Sequence, residues 1–227
     1  MSALPAVEPA SLEVRAALAL QLRTAHIRDV TLMRAFEQAP RDLFAPHRLR
    51  DLASRDISLP IGCGQIMPAP SDLARRLETL GVKPGHRVLE IGSGSGYSAA
   101  VLSRLAREVV SFERFETLAV SAAVRLTTLG VDNAKVIQGD GLAVAQDFGY
   151  FDRVVVHFCI DAPPEKLLAR LNTGGAIGFG RFVELGLGMR PQSRWIKLER
   201  DANGALTETD VGLCRLGGAI DGPALVL

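Results

Sequence analysis

Three features at the ends of predicted β-strands have the residue types to bind a nucleoside. Residues 88–100 (VLEIGSGSGYSAA) join an apolar strand to a glycine-rich turn and the start of a helix. Glycines let the chain turn sharply and let a ligand approach the backbone closely. Glu113 ends the next strand about 20 residues later, where a carboxylate can accept hydrogen bonds from ribose hydroxyls. Asp140 ends the third strand, where it could meet the exocyclic amine of adenine. The sequence therefore predicts an adenosine-type ligand.

The spacing of the glycines indicates which adenosine ligand binds. A dinucleotide fingerprint reads GxGxxG, with its third glycine inside the helix, whereas Gly92, Gly94 and Gly96 read GxGxG. With Glu90 just before it, this stretch resembles motif I of the class I S-adenosylmethionine-dependent methyltransferases. The resemblance implies S-adenosylmethionine as the cofactor, with S-adenosylhomocysteine as product, and Glu90 as a group that either orients the methionine amine or braces the loop. The residues predicted to bind the cofactor are Glu90, Gly92, Ser93, Gly94, Ser95, Gly96, Tyr97, Glu113, Arg114, Asp140, Gly141 and Leu142.

Strands that alternate with helices must hold these features in place. Such alternation predicts a parallel sheet with right-handed crossovers. Asn203-Gly204 is a hairpin turn signal and predicts an antiparallel pair of strands near the end of the chain. The predicted strands are residues 86–91, 108–114, 134–140, 151–158 and 176–180, plus the hairpin within 194–211.

The helical pattern dominates the first third of the chain. Apolar residues recur at helical spacing in three segments before residue 81, and Asp29 is placed to cap the second of them. The sequence NTGG at 172–175 is expected to stop a short helix. We therefore expect an N-terminal helical extension with an acceptor-site loop in residues 1–80 and a cofactor-binding core in residues 81–227. The predicted helices are residues 11–25, 29–38, 48–53, 71–80, 118–129 and 163–171, and residues 56–61 are a predicted short strand.

Four segments in this order and spacing resemble the protein-L-isoaspartate O-methyltransferases: residues 40–46 (PRDLFAP), 56–65 (DISLPIGCGQ), 88–105 and 138–142 (QGDGL). The resemblance covers about residues 25–185, and LPIGxGQ is its most specific part. It implies an α/β, Rossmann-like class I methyltransferase with a mostly parallel seven-stranded sheet, an antiparallel C-terminal hairpin and an N-terminal helical extension. It also implies methyl transfer to the side carboxylate of isoaspartyl residues, a protein-repair reaction. A carboxylate is already an anion at neutral pH, so the reaction requires no general base.

The segment GCGQIMPAP departs from this family. The family follows GxGQ with residues whose hydroxyls face the acceptor and the cofactor, whereas Ile66, Met67 and Pro68 stand here. We interpret the segment as the wall of the acceptor site with its polar groups replaced, and a plain packing segment is the alternative. The residues predicted to bind the acceptor are Ile61, Gly62, Gln65, Ile66, Met67 and Pro68.

A second departure lies at the end of the fourth core strand. The family usually has small residues there, and this chain has His157, Phe158 and Cys159. An imidazole has an ordinary pKa near 6.5, so His157 is a candidate catalytic base for an alcohol, phenol or amine acceptor. The alternative is a hydrogen-bonded histidine at the rim of the site. Cys159 fits a small buried residue better than a nucleophile.

Composition limits the remaining possibilities. The net charge of +1 and the scattered arginines give no basic patch, so nucleic acid is not an expected partner. The three cysteines form no CxxC motif and the four histidines do not cluster, so no metal site is predicted. The N-terminus does not resemble a signal peptide and no apolar run is long enough to span a bilayer, which predicts a cytoplasmic protein without a membrane partner.

Three hypotheses about function follow. The first is an isoaspartyl-type carboxyl methyltransferase acting on a peptide or protein. The second is a methyltransferase with another acceptor, such as a small molecule, which Ile66, Pro68 and His157 favour. The third is a cofactor-binding module that has lost catalysis. The sequence leaves the oligomeric state open.

Overall fold

The computed structural model describes residues 12–143, 148–186 and 190–219. The helices that precede the core are α1 (Leu12–Thr24), α2 (Val30–Gln38), α3 (Arg41–Phe44), a 3-10 helix (His47–Leu52) and α4 (Pro70–Leu80). Those within the core are α5 (Tyr97–Ser103), α6 (Glu116–Thr128), a 3-10 helix (Gly141–Ala143) and α7 (Glu165–Leu168). The strands are β1 (Leu59–Pro60), β2 (Ile66–Met67), β3 (Arg87–Ile91), β4 (Glu108–Glu113), β5 (Ala134–Gln138), β6 (Phe151–Cys159), β7 (Leu171–Val183), β8 (Gln192–Arg200) and β9 (Leu206–Leu213).

A seven-stranded sheet in the order β5-β4-β3-β6-β7-β8-β9 forms the core. The strands from β3 to β7 pair in parallel, whereas β8 pairs antiparallel with both β7 and β9. The predicted fold class is therefore confirmed. The short strands β1 and β2 pair with each other outside this sheet.

The central strands are apolar because they are covered on both faces. Val88, Val109 and Val155 belong to a core cluster that also contains buried apolar residues of α2, α4 and α5. Their neighbours Leu89 and Val110 belong to a second cluster on the opposite face. Successive side chains of a strand point to opposite faces, so alternate residues of the same strands fill the two layers.

Local structure departs from the sequence-based expectation at the predicted helix stop. The NTGG segment lies inside β7, where the pairing register shifts between Phe151 and Arg153 of the neighbouring strand. Gly174 has φ +73°, and a Cβ on Gly175 would lie 2.7 Å from the carbonyl oxygen of Asn172. These glycines therefore form an irregularity within a strand rather than the end of a helix. A second difference is that PRDLFAP, which lies outside all the predicted helices, contains α3.

Local sequence signals mark two helix boundaries, and the first of them, at Asp29, was predicted. Asp29 caps α2, since its Oδ1 accepts from the backbone N–H groups of Thr31 at 2.8 Å and Leu32 at 3.0 Å. Gly130 follows α6 with φ +64°, the left-handed conformation that glycine adopts without a steric penalty. Among the helices in the described ranges, none is both long enough and apolar enough to cross a bilayer.

Candidate active site

A cleft of about 380 Å³ opens at the carboxyl ends of β3, β4, β5 and β6. This edge of an open parallel sheet is where ligands bind in α/β proteins. The segment around β2 and residues 215–218 close the other side of the cleft. Of the residues predicted to bind cofactor or acceptor, those that line it are Gly92, Ser93, Gly94, Ser95, Glu113, Arg114, Asp140, Gly141, Leu142, Gln65, Ile66, Met67 and Pro68, together with His157.

Glu113 connects the tip of β4 to the glycine-rich loop. Its Oε2 accepts from the backbone N–H of Gly94 at 2.8 Å, and its Oε1 accepts from that of Phe115 at 3.0 Å. The side chain is only 4% exposed, and this burial raises the pKa of the carboxyl group, while its backbone hydrogen bonds act in the opposite direction. Each carboxylate oxygen has further lone pairs, so Glu113 can brace the loop and still accept from a ligand in the cleft.

Asp140 lies at the next strand end. Its Oδ1 accepts from the backbone N–H of Leu142 at 3.0 Å, an Asx-type turn that fixes the side chain. Gly141 is required between them, because a Cβ there would lie 2.5 Å from Cγ2 of Ile91. The carboxylate is therefore held at the rim by a chain segment that packs tightly on β3.

Three cleft-lining residues carry buried polar atoms without a hydrogen-bond partner in the described structure. They are Oγ of Ser93 in the glycine loop, Nε and Nη1 of Arg114 beside Glu113, and Nη2 of Arg76 on α4. Buried polar atoms in native proteins are nearly always paired, so orphaned atoms in a cleft indicate that a polar ligand completes them. A ligand with polar groups along its length fits this side of the cleft.

Three residues predicted to bind the cofactor lie behind the cleft rather than on its surface. Glu90 is fully buried, and its Oε2 accepts from the hydroxyl of Ser111 at 2.5 Å. Tyr97 packs against aromatic rings of the helical extension, and burial raises the pKa of its phenol. At Gly96, a Cβ would lie 2.9 Å from Cβ of Ala122, so this glycine permits close packing of α6. The bracing alternative for Glu90 matches this position.

The segment after Gln65 forms one wall of the cleft. Ile66 is 65% exposed, whereas Met67 is 2% exposed and anchors the wall in the core. Gln65 turns back, since its Nε2 donates to the carbonyl of Cys63 at 3.1 Å.

Ile61 and Gly62 were expected in the acceptor site, but neither is among the residues that line the cleft. The side chain of Ile61 contacts the glycine loop, because a Cβ on Gly94 would lie 3.2 Å from Cδ1 of Ile61. A Cβ on Gly62 would lie 3.4 Å from Cδ2 of Leu118 on α6. The segment that leads into the wall therefore packs against the glycine loop and α6.

His157 lies at the tip of β6 with both ring nitrogens engaged. Nδ1 is 3.1 Å from Nη1 of Arg76, and Nε2 is 3.0 Å from both Oε1 of Glu90 and Oγ of Ser98. Burial lowers the pKa of His157, and this effect outweighs the bond to Glu90, which raises it. The geometry thus gives a neutral, fully bonded ring with no free nitrogen for an acceptor. Cys159 is buried, and burial raises the pKa of its thiol to about 12.

Several cleft residues were not anticipated from the sequence. Most are apolar or small and carry no chemical signal, namely Gly64, Ile91, Phe112, Phe115, Gly139, Phe158 and residues 216–218. The polar ones are Ser58, Arg76, Ser98 and Arg215. Arg76 could have been noticed because it follows Leu73 by three residues and precedes Leu77, so it falls on the apolar face of the predicted helix.

Comparison with known proteins matches this architecture. The family model described as Protein-L-isoaspartate(D-aspartate) O-methyltransferase (PCMT) matches residues 13–208. The chain is 49% identical over 158 residues to a protein-L-isoaspartate O-methyltransferase of Rhodopseudomonas palustris strain BisA53, which covers 70% of this chain and 74% of the relative. A relative of the same name from Nitrobacter winogradskyi is 44% identical over 158 residues and covers 70% of this chain and 73% of its own length.

Solved structures give the same result. A protein-L-isoaspartate O-methyltransferase superposes with a TM-score of 0.78 at 27% identity, over 91% of this chain and 66% of that chain. A Plasmodium falciparum structure, described as a putative member of the same enzyme class in complex with S-adenosyl-L-homocysteine, superposes with a TM-score of 0.77 at 20% identity, over 90% of this chain and 96% of that one. The predicted family is confirmed: the chain belongs to the protein-L-isoaspartate(D-aspartate) O-methyltransferase family.

Proposed function

We propose that this protein transfers the methyl group of S-adenosylmethionine to the side carboxylate of isoaspartyl residues in proteins or peptides. One observation carries the proposal. The nucleoside-binding strand ends and the wall formed by residues 65–68 line one continuous cleft. A methyl donor and an acceptor can therefore lie end to end, as in-line displacement requires.

The chain's own residues fit the cofactor. Glu113 presents a buried carboxylate to ribose hydroxyls, and Asp140 presents a fixed carboxylate to the adenine amine. The unpartnered hydroxyl of Ser93 and the unpartnered N–H groups of Arg114 are available to the cofactor's remaining polar groups. When bound, S-adenosylmethionine supplies an electrophilic methyl group on a sulfonium centre.

The acceptor end of the cleft suits a nucleophile that needs no activation. An isoaspartyl carboxylate is ionised at neutral pH, so the bonded state of His157 does not count against catalysis. Ile66 and Phe158 contribute apolar surface beside the acceptor, and the buried Met67 holds this part of the wall in place. Such surface excludes water, which would otherwise solvate the carboxylate and weaken it as a nucleophile. In this proposal residues 1–80 supply the acceptor wall and residues 81–227 supply the cofactor site.

The test is methyl transfer from labelled S-adenosylmethionine to an isoaspartyl peptide, with the same peptide containing ordinary aspartate as the control. We expect a base-labile methyl ester on the isoaspartyl peptide alone. The Asp140→Ala variant should lose most of this activity at a low cofactor concentration and recover part of it when the cofactor is raised. Label on neither peptide would overturn the proposal.

The same preparation separates the competing hypotheses. Cofactor binding by calorimetry, together with methylation of hydroxyl or amine compounds but not of isoaspartyl peptide, would favour a different acceptor. Binding without transfer to any acceptor would favour a module that has lost catalysis.

A further inference from the structure

Arg76 is a buried cation beneath the acceptor wall. It lies on α4, which begins two residues after Pro68, and it is 2% exposed. Its guanidinium carbon lies 5.7 Å from the ring centre of Trp195. Arginine is almost never fully buried unless its charge is paired. A buried guanidinium that also lines the cleft therefore needs a reason for its position.

The contacts of Arg76 determine which nitrogen of His157 carries the proton. Nη1 is 3.1 Å from Nδ1 of His157, while Nη2 is 3.5 Å from Oδ2 of Asp72 and Nε donates to the backbone carbonyl of Asp72 at 3.2 Å. A guanidinium can only donate hydrogen bonds. Nδ1 must therefore accept, and it carries no proton.

The proton of the neutral imidazole is then on Nε2. This N–H points toward Oε1 of Glu90 and Oγ of Ser98, both at 3.0 Å. Ser98 serves as an acceptor in this arrangement, so its own hydroxyl proton is free to donate to a ligand, and Ser98 lines the cleft. One tautomer satisfies all three neighbours of the ring.

We propose that Arg76 is a positioning residue that holds His157 as the neutral Nε2–H tautomer. The part of the cleft that His157 lines is then fixed and uncharged. The catalytic reason for keeping His157 uncharged rests on the proposed function. An imidazolium at the tip of β6 would repel the sulfonium cation of the methyl donor, because like charges in a site of low dielectric interact strongly. A ring held at both nitrogens also cannot rotate toward the acceptor.

The charged groups around His157 come from two elements. Helix α4 contributes Arg76 and Asp72, and strand β3 contributes Glu90. Burial lowers the pKa of His157, Glu90 raises it, Arg76 lowers it and Asp72 raises it. When Arg76 is removed, the two carboxylates are left unopposed by a cation, and Nδ1 loses its donor. Both changes favour protonation of the ring.

The tautomer can be read directly by nitrogen NMR of histidine-labelled protein. In the wild type we expect the signature of a neutral ring with its proton on Nε2 from about pH 6 to about pH 8. The His157→Gln variant assigns the signal by its disappearance. In Arg76→Met the signal should titrate within that range, whereas Arg75→Met, an exposed arginine on the same helix, should behave as the wild type. A wild-type ring protonated on Nδ1, or on both nitrogens near pH 7, would overturn the proposal whether or not Arg76→Met folds.

Cofactor affinity supplies the functional readout. We expect calorimetry to show that Arg76→Met loses about tenfold in affinity for S-adenosylmethionine between about pH 8 and about pH 6, with little change for the wild type and Arg75→Met. Arg76→Lys retains a cation and a donor and should restore much of the wild-type pH profile. A pH-independent affinity in Arg76→Met would contradict the proposal. The NMR experiment uses neither cofactor nor acceptor, so failure of the isoaspartyl assay would leave its result unaffected.

Discussion

The guanidinium of Arg41 donates through Nη2 to the backbone carbonyl of Pro68 at 3.0 Å. The same side chain donates to the carbonyls of Ala53 at 3.0 Å, Arg55 at 3.2 Å and Ile57 at 2.8 Å. Arg41 is 6% exposed, and burial lowers its pKa, yet a guanidinium stays protonated in proteins. One cation thus ties the acceptor wall to the chain that leads into it.

Replacing Arg41 by Met should destabilise the protein and weaken acceptor binding. Four carbonyl groups lose a charged donor at once, so we expect a loss of about 3 kcal/mol or more in the free energy of unfolding. Urea titration measures it, with the exposed Arg48→Met as control. For Arg41→Lys we expect a loss in unfolding free energy between those of Arg41→Met and Arg48→Met. A Michaelis constant for isoaspartyl peptide that is unchanged in a folded Arg41→Met or Arg41→Lys variant would show that Arg41 does not order the wall.

Removing either carboxylate at the strand ends should weaken cofactor binding. We expect Glu113→Ala and Asp140→Ala each to cost about 1–3 kcal/mol of binding free energy through lost hydrogen bonds. Calorimetric titration with S-adenosylhomocysteine measures the effect, and Glu116→Ala on the exposed start of α6 is the matched control. Glu113→Gln separates the loss of a hydrogen-bond acceptor from collapse of the loop at Gly94. Unchanged affinity in both alanine variants would mean that the adenosine lies elsewhere.

Restoring hydroxyls to the wall should raise methyl transfer to isoaspartyl peptide. The double change Ile66→Thr with Pro68→Ser adds two hydrogen-bonding groups to the lining of the cleft. Each neutral hydrogen bond contributes about 0.5–1.5 kcal/mol, so a gain of about tenfold to 100-fold in rate is the expected range if both act in the transition state. Initial rates at saturating cofactor measure it. No gain, with cofactor affinity intact, would indicate that the apolar wall is suited to the acceptor as it stands.

His157 should make the stability of the protein depend on pH in the acid range. Its pKa is lowered in the folded state, chiefly by burial, so below the ordinary value near 6.5 the unfolded chain binds the proton more readily. The contribution of the neutral ring is therefore fully present above about pH 6.5 and is lost as the pH falls from there toward the folded-state pKa, at no more than about 1.4 kcal/mol per pH unit.

The measurement is the difference in unfolding free energy between wild type and His157→Gln, taken at several pH values. Other titrating groups are common to both proteins and largely cancel. The advantage of the wild type should shrink as the pH falls from about 7 to about 5. A difference that stays constant would mean that folding does not shift the pKa of His157, and one that grows on acidification would mean that folding raises it; either result would contradict this prediction.

The local sequence pattern was sufficient to predict those features whose conformation is set by residues close to them in the chain. The glycine turn after β3 and the carboxylates ending β4 and following β5 were predicted together, because the carboxyl ends of parallel strands meet at one edge of the sheet. The cap at Asp29 and the turn at Gly204, which has φ +87°, are likewise local. Such features depend on backbone geometry and on neighbours a few residues away.

The features that sequence reasoning missed depend on distant parts of the chain. Arg76 is buried because β6 supplies His157 and β8 supplies Trp195, and neither is visible from the helix alone. Glu90 was expected either to orient the methionine amine or to brace the loop, and the partners that contact its buried carboxylate, the ring of His157 and the hydroxyl of Ser111, lie on other strands. The NTGG segment belongs to β7 because that strand pairs with β6. Its glycines lie where the pairing register between the two strands shifts.

Trp195 is the single tryptophan of this chain. Its indole N–H donates to Oγ1 of Thr79 on α4 at 3.0 Å, and its ring packs over Gly178, where a Cβ would lie 2.3 Å from the ring atom Cζ2. The indole is thus clamped against the helix that carries Arg76. The protein consequently contains its own optical probe, because the emission of this one fluorophore is sensitive to movements of α4 against the sheet.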